Sequence, residues 1–408
     1  MTSTTPVSRR AFVVWFAGTM IYMMAILGRT SLGVAGVQAM EHFHIDASRL
    51  AVFTSVQVGV YALAQIPMGA AIDRFQPRLM LLVGAVIMAA GQLVLGLTTS
   101  YGVAIAARVL VGVGDASAFL SVMRLIPAWF PPRRAPLMSQ LLASIGWGGQ
   151  FLSAVPFLAY LEHAGWRSAF LALGVLGIGV AVVAALFIRN APTTQATRTK
   201  LQLGTVVRQP VCWEGFFTHW VGLLPNLVFT LLWGVPLLTL GVGLSPQAAG
   251  RILVVGVCIT IVVSPAHGML SARLRQRRSL VTVALNACYF AALGVFFASP
   301  TPRGWLFAAA VTCLGFAIVP ASNFGFDSVR EQLAHRSLAT GTGLANMGGF
   351  VAVMIAGQLM GLILDALAPD GHYTWAVFRV AWLAVFGTWA AGVIALLVVR
   401  RPRVQFVA

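Results

Sequence analysis

Five charged side chains, Arg29, Arg108, Asp115, Arg124 and Asp327, sit in or at the ends of stretches that are otherwise apolar. A charge in the middle of a membrane helix costs about 2.5–3.5 kcal/mol on translocon scales, so it is kept only if it is paired or faces water. Asp115 follows Arg108 by seven residues, two helical turns along one face. A pair at that spacing, bridged by water or by a bound solute, suits two roles. The carboxylate can take up and release a proton, or the two groups can form a structural ion pair. His219 and Trp233 lie in a later apolar run. His219 either faces a cavity or packs between helices through a hydrogen bond, and Trp233 either lines a path or faces lipid. His42 and His44, in a short polar connection, read as solvated.

The elements that hold these residues follow from composition. Of 408 residues, 59% are hydrophobic and 9% are charged. Soluble domains carry about 25% charged residues, so no water-compatible surface can cover this chain. Apolar runs long enough to cross a bilayer recur throughout. The spacing predicts spans over 12–38, 48–72, 79–98, 102–127, 136–160, 166–188, 213–240, 247–270, 279–298, 304–327, 338–364 and 374–399. The fold class expected is an all-α polytopic membrane protein of twelve transmembrane helices. The four cysteines, Cys212, Cys258, Cys288 and Cys313, have neither paired nor metal-like spacing and read as inert thiols. No metal or other cofactor is expected.

The net charge of +17 is a topology signal. With the N-terminus inside, alternate connections on the inner side hold 19 of the Lys and Arg residues and the outer ones 5. Both termini are therefore expected to be cytoplasmic, beside anionic lipid headgroups, and nucleic acid is not an expected partner. The Ser8–Phe12 run resembles a twin-arginine leader, but the apolar stretch behind it is too long for a cleaved signal. Arg9 and Arg10 read as an anchor of the first span. Asp327, Arg330 and Glu331, with Arg124, read as a charge cluster at the inner ends.

The chain also repeats itself. The turn Gly69–Arg78, G-A-A-I-D-R-F-Q-P-R, recurs 199 residues on at Gly268–Arg277, G-M-L-S-A-R-L-R-Q-R. Leu142–Gly146 after Arg134 and Leu344–Gly348 after Arg336 repeat at an offset of 202. This divides the chain into a first six-helix half, 1–188, a cytoplasmic linker, 189–212, and a second half, 213–408.

These residues resemble the major facilitator superfamily over essentially the whole chain. Gly69, Asp73, Arg74 and Arg78 match its G-x-L-A-D-R-x-G-R-R loop, from which Gln76 and Pro77 depart. The second copy keeps Gly268, Arg273 and Arg277 but has Ala272 in place of the acid. Arg108, Gly112 and Gly114 resemble its R-x-x-x-G-x-G pattern. The resemblance implies that the Gly69, Asp73, Arg74, Arg78, Gly268, Arg273 and Arg277 network is a conformational latch, stronger in the first half because Ala272 lacks a charge. It also implies a central cavity lined by helices 1, 4, 7 and 10. Arg29 is similar to an arginine that grips carboxylate or phosphate in the organic anion and organophosphate permease branch. A second arginine expected there on helix 7 is Val228 here, which favours a monocarboxylate over a phosphate ester. Gly28 stands where many organic anion symporters carry aspartate.

The function implied is a monomeric secondary transporter in the cell membrane, with a small organic anion as substrate and a proton or ion as coupling partner. Arg29, Arg108, Asp115, His219 and Trp233 are its expected substrate-binding residues. Multidrug-type efflux by proton antiport is the alternative within transport. A membrane-embedded enzyme would need clustered catalytic groups at mid-depth, and a sensor would need an output domain that the short termini do not offer. No G-x-x-x-x-G-K-[ST] loop is present, so ATP drive has no basis in this chain.

Overall fold

The computed structural model describes residues 8–45, 47–189, 203–369 and 371–400, and the regular structure among them is helical. Ten helices are long and apolar enough to cross a membrane. We label them α1 (Arg9–Val34), α2 (Ala47–Phe75), α3 (Pro77–Leu97), α4 (Tyr101–Trp129), α5 (Ala135–Phe187), α6 (Pro210–Gly241), α7 (Pro246–Ala298), α8 (Trp305–Gln332), α9 (His335–Leu367) and α10 (Trp375–Val399).

Two of the ten, α5 and α7, run for 53 residues each. Each covers two of the expected spans, and each is broken inside. In α5 the break is at Gly165, with φ 78° and ψ 171°. In α7 it is at Arg275, with φ 47° and ψ −112°, followed by a 3-10 turn over Arg275–Arg277. Local chemistry sets several of the starts. Ser8 and Ser245 accept hydrogen bonds from the backbone N–H groups of Ala11 and Ala248, at 3.2 Å each. Pro77, Pro210 and Pro246 occupy first-turn positions, where a missing N–H costs nothing. The expected linker 189–212 lies largely outside the described residues, but its end is helical: Leu203–Val207 forms a short helix and α6 starts at Pro210.

The chain forms two compact units. The first runs to Leu203 and includes Leu333–Gly343; the second comprises Gly204–Gln332 and the chain from Leu344 onward. In the first unit, α3 and α4 pack along their length against each other and against α1, α2 and α5. One end is closed by an aromatic cluster of Phe43, Phe53, Phe157, Trp166 and Phe170. His42 belongs to this cluster and is not simply solvated as expected. Its ring stacks on Trp166 at 4.8 Å, and Nε2 lies 2.9 Å from the Thr98 carbonyl. In the second unit α6 packs against α8, α9 and α10. The Trp220 indole donates to the Thr388 carbonyl at 2.9 Å, fastening α6 to α10.

Candidate functional site

Within the first unit α1 and α4 bring Arg29 to Asp115. Arg29 Nε donates to Asp115 Oδ2 at 2.7 Å and Nη2 donates to Oδ1 at 2.9 Å. This two-point geometry is the strong form of the ion pair. The Asp115 side chain is fully buried, whereas that of Arg29 is 17% exposed. The guanidinium also lies 4.3 Å from the centre of the Tyr61 ring on α2, a cation–π distance.

The partner of Asp115 is therefore Arg29, 86 residues away, and not Arg108 on its own helix. Arg108 is 1% exposed. Its Nη1 donates to the Gly28 carbonyl at 3.1 Å and its Nη2 to the Arg29 carbonyl at 3.0 Å. The same Gly28 carbonyl accepts from Gln92 Nε2 at 3.1 Å and from Ser31 Oγ at 3.0 Å. Helical period places Arg108 and Asp115 on one face, but the long arginine side chain reaches across to the neighbouring main chain. Arg108 thus fixes the backbone on which Arg29 stands. Tyr61 and Gln92 carried no signal in the sequence that set them apart from other polar residues in apolar runs.

Chemically, a guanidinium fork holding a carboxylate presents two parallel N–H donors. Any second carboxylate offers the same two acceptors, so the Arg29 fork can exchange partners.

The two other expected site residues lie in the second unit. His219 is buried between helices. Its Nδ1 is 2.9 Å from the Asn346 carbonyl and 3.2 Å from the Gly349 N–H, and its ring meets Phe326 at 4.9 Å. Of the two roles open to it, packing is the one its contacts serve. Trp233 is half-buried and edge-on to Tyr373 at 6.3 Å.

At the turn between α2 and α3, Asp73 caps the start of α9. It accepts from Ala339 N at 3.1 Å, from Thr340 N at 2.8 Å and from Thr340 Oγ1 at 2.7 Å. A carboxylate suits a helix N-terminus, where free N–H groups and the helix dipole converge. Gly69 permits the approach: a Cβ there would come 2.5 Å from the Ala339 carbonyl oxygen. Arg78 donates to the Ala185 carbonyl at 3.0 Å, while Arg74 is exposed and lies over Phe75.

Arg124 does not join Asp327, Arg330 and Glu331, as the sequence reading grouped it. It pairs with Asp73 at 3.4 Å, and its Nη1 is 3.1 Å from His335 Nδ1. Its place near the end of α4 put it at the correct depth, but depth does not specify the neighbour. The second copy of the turn also differs from expectation. Gly268 is buried, Arg273 and Arg277 are exposed, and the arginine that turns inward is Arg278. Arg278 makes a two-point pair with Glu331, 2.7 Å on each arm, and donates through Nε to the Ser271 carbonyl. Asp327 pairs with Arg330 at 2.7 Å and accepts from the Ser271 hydroxyl. The acid missing at Ala272 is thus replaced by acids from α8. Among the described residues no group of three or more His, Cys, Asp or Glu gathers as a metal site.

Broken helices of membrane-spanning length in two compact units, the first of which holds a buried arginine–aspartate pair, are the build of a polytopic membrane protein. The chain belongs to the Major Facilitator Superfamily, whose family model matches residues 18–357. It is a multi-pass protein of the plasma membrane, not an enzyme, and it moves small solutes. Relatives include the "Probable sulfoacetate transporter SauU" of Cupriavidus necator, 22% identical over 367 residues covering 85% of each chain. Another is the "Probable L-galactonate transporter" of Escherichia coli, 27% identical over 230 residues, 55% of this chain and 48% of that one. Among solved structures, the proton:xylose symporter XylE matches with a TM-score of 0.76 at 13% identity, covering 96% of this chain and 95% of that one. The Escherichia coli fucose:proton symporter FucP matches with a TM-score of 0.72 at 13% identity, covering 97% and 100%.

Proposed function

We propose that this transporter carries a small organic anion, a carboxylate with a single strong negative charge, together with a proton by alternating access. The observation that carries the reading is the Arg29–Asp115 pair, a two-point fork with its arginine partly exposed and its aspartate buried. When a substrate carboxylate takes the fork, Asp115 loses its counter-ion in a low-dielectric setting, and the charge left behind is neutralised by a proton. One neutral pair becomes two neutral units, so the proton and the anion enter and leave together. Arg108 holds the main chain of Arg29 through both states. The names of the relatives, probable sulfoacetate and L-galactonate transporters, describe organic anions, the first doubly and the second singly charged, and support an organic anion as substrate.

The chain reads as twelve spans in two six-helix halves, with α5 and α7 each crossing twice at their breaks. The Arg bias sets both termini in the cytoplasm. Transport proceeds by alternating access in a monomer, and the Asp73 network, which lies within the first unit, holds one of the two states. The test is uptake into proteoliposomes across a panel of mono- and dicarboxylates, sulfonates and phosphates, with and without an acid-outside gradient. Saturable uptake of a monocarboxylate, faster with the gradient and lost in Arg29→Ala and Arg29→Lys, is expected. Anion uptake that survives in Arg29→Ala would sink the reading.

A further inference from the structure

The start of α9 carries one side chain whose charge changes near neutral pH. The helix opens with a 3-10 turn over His335–Ser337. Arg124 Nη1 donates to His335 Nδ1 at 3.1 Å, and Arg124 Nε pairs with Asp73 Oδ1 at 3.4 Å. Asp73 in turn holds the N–H groups of Ala339 and Thr340. All of these residues belong to the first compact unit.

A guanidinium has N–H donors and no acceptor. The Arg124 contact therefore needs a lone pair on His335 Nδ1, so the ring is neutral with its proton on Nε2. Arg124 is 8% exposed, and a charge so far removed from water depends on the partners it has. His335 itself is exposed, within reach of protons from solvent.

The surroundings make a second proton on the ring costly. Arg124 faces it from α4, and Arg336 follows it on the same turn. Helix α2, which packs against this turn, ends in Asp73 and Arg74. Asp73 already serves Arg124 and three donors of α9. The first N–H groups of α9 add positive potential at the same end. A proton on Nδ1 would aim one donor at another and set two cations side by side.

We propose that His335 is an acid sensor for the Asp73 cap. Protonation of its ring breaks the Arg124 contact, drives the first turn of α9 away from Asp73 and slows transport. This rests on the reading that the cap steadies one transport state. On the topology proposed above the turn is cytoplasmic, so the proton that symport delivers is also the signal that slows further uptake.

Hydrogen–deuterium exchange of the purified full-length protein, corrected for the intrinsic pH dependence of exchange, reads the cap at the Ala339 and Thr340 amides. Protection there should fall about tenfold between about pH 7.5 and about pH 5.5, a window that brackets the ordinary imidazole value of about 6.5. His335→Gln keeps a neutral acceptor for Arg124 and should hold its protection across that window. His335→Lys fixes the cation and should show low protection already at the upper pH; should it fold poorly, the glutamine variant decides alone. Protection in the wild type that ignores pH, or that falls equally in His335→Gln because Asp73 itself takes the proton, overturns the inference and leaves the latch reading standing. Counterflow of a transported monocarboxylate, at equal pH on both sides, should slow across the window more in the wild type than in His335→Gln. A pH-responsive cap without that difference in flux contradicts the latch reading instead.

Discussion

Arg29 commits both arms of its fork to Asp115, and Arg108 commits its own donors to the main chain beneath Arg29. The two arginines therefore have different expected roles, one exchanging partners and one positioning. Removing one member of a buried pair leaves the other charge uncompensated, at a cost of about 3 kcal/mol or more. Asp115→Asn should lower the melting temperature, whereas the double substitution Arg29→Met with Asp115→Leu should recover much of that loss without restoring transport. Thermal denaturation of the two purified variants checks this. Asp115 and Arg29 were both legible in the sequence, because a charge in an apolar run stands out. Their pairing was not. Two helices far apart in sequence meet at a register that neither helix encodes alone, so the period of α4 pointed instead to Arg108.

At the scale of elements, the repeated turn is the clearest case of sequence and backbone agreeing. Gln76 has φ 74° and ψ 145°, and Arg275, 199 residues on, has φ 47° and ψ −112°. These left-handed conformations are nearly confined to glycine, and a non-glycine residue held in one costs about 1–3 kcal/mol. The resemblance had marked Gln76 as a departure from a family glycine, and the backbone keeps the conformation that glycine would adopt without strain. Gln76→Gly should accordingly raise the melting temperature and Gln76→Val should lower it; the opposite order in a thermal melt would contradict the strain. What was not legible here is which arginine of the second copy turns inward. The run Arg273, Arg275, Arg277 and Arg278 offers four candidates, and only the packing of α7 against α8 selects Arg278 to meet Glu331. For the same reason the absence of an acid at Ala272 was a poor guide to the charge balance of that turn, because Asp327 and Glu331 supply it from another helix.

For the whole molecule, the all-helical membrane class and the family were readable from the apolar run lengths and the repeated turn motif, while the continuity of α5 and α7 across their breaks was not. Asp73 holds the first turn of α9, a segment that the sequence counts in its second half but that packs within the first compact unit. If this cap steadies one transport state, Asp73→Asn should slow turnover by about tenfold or more while leaving substrate affinity near the wild-type value. Parallel flux and binding measurements separate the two, and an equal loss of both would remove the latch role. The central claim, that anion and proton move together through Arg29 and Asp115, is tested most directly in weakly buffered proteoliposomes. Addition of a transported monocarboxylate should alkalinise the outer medium in the wild type, and Asp115→Asn should abolish that signal. Saturable anion uptake with no accompanying proton movement, or an undiminished proton signal in Asp115→Asn, would contradict it.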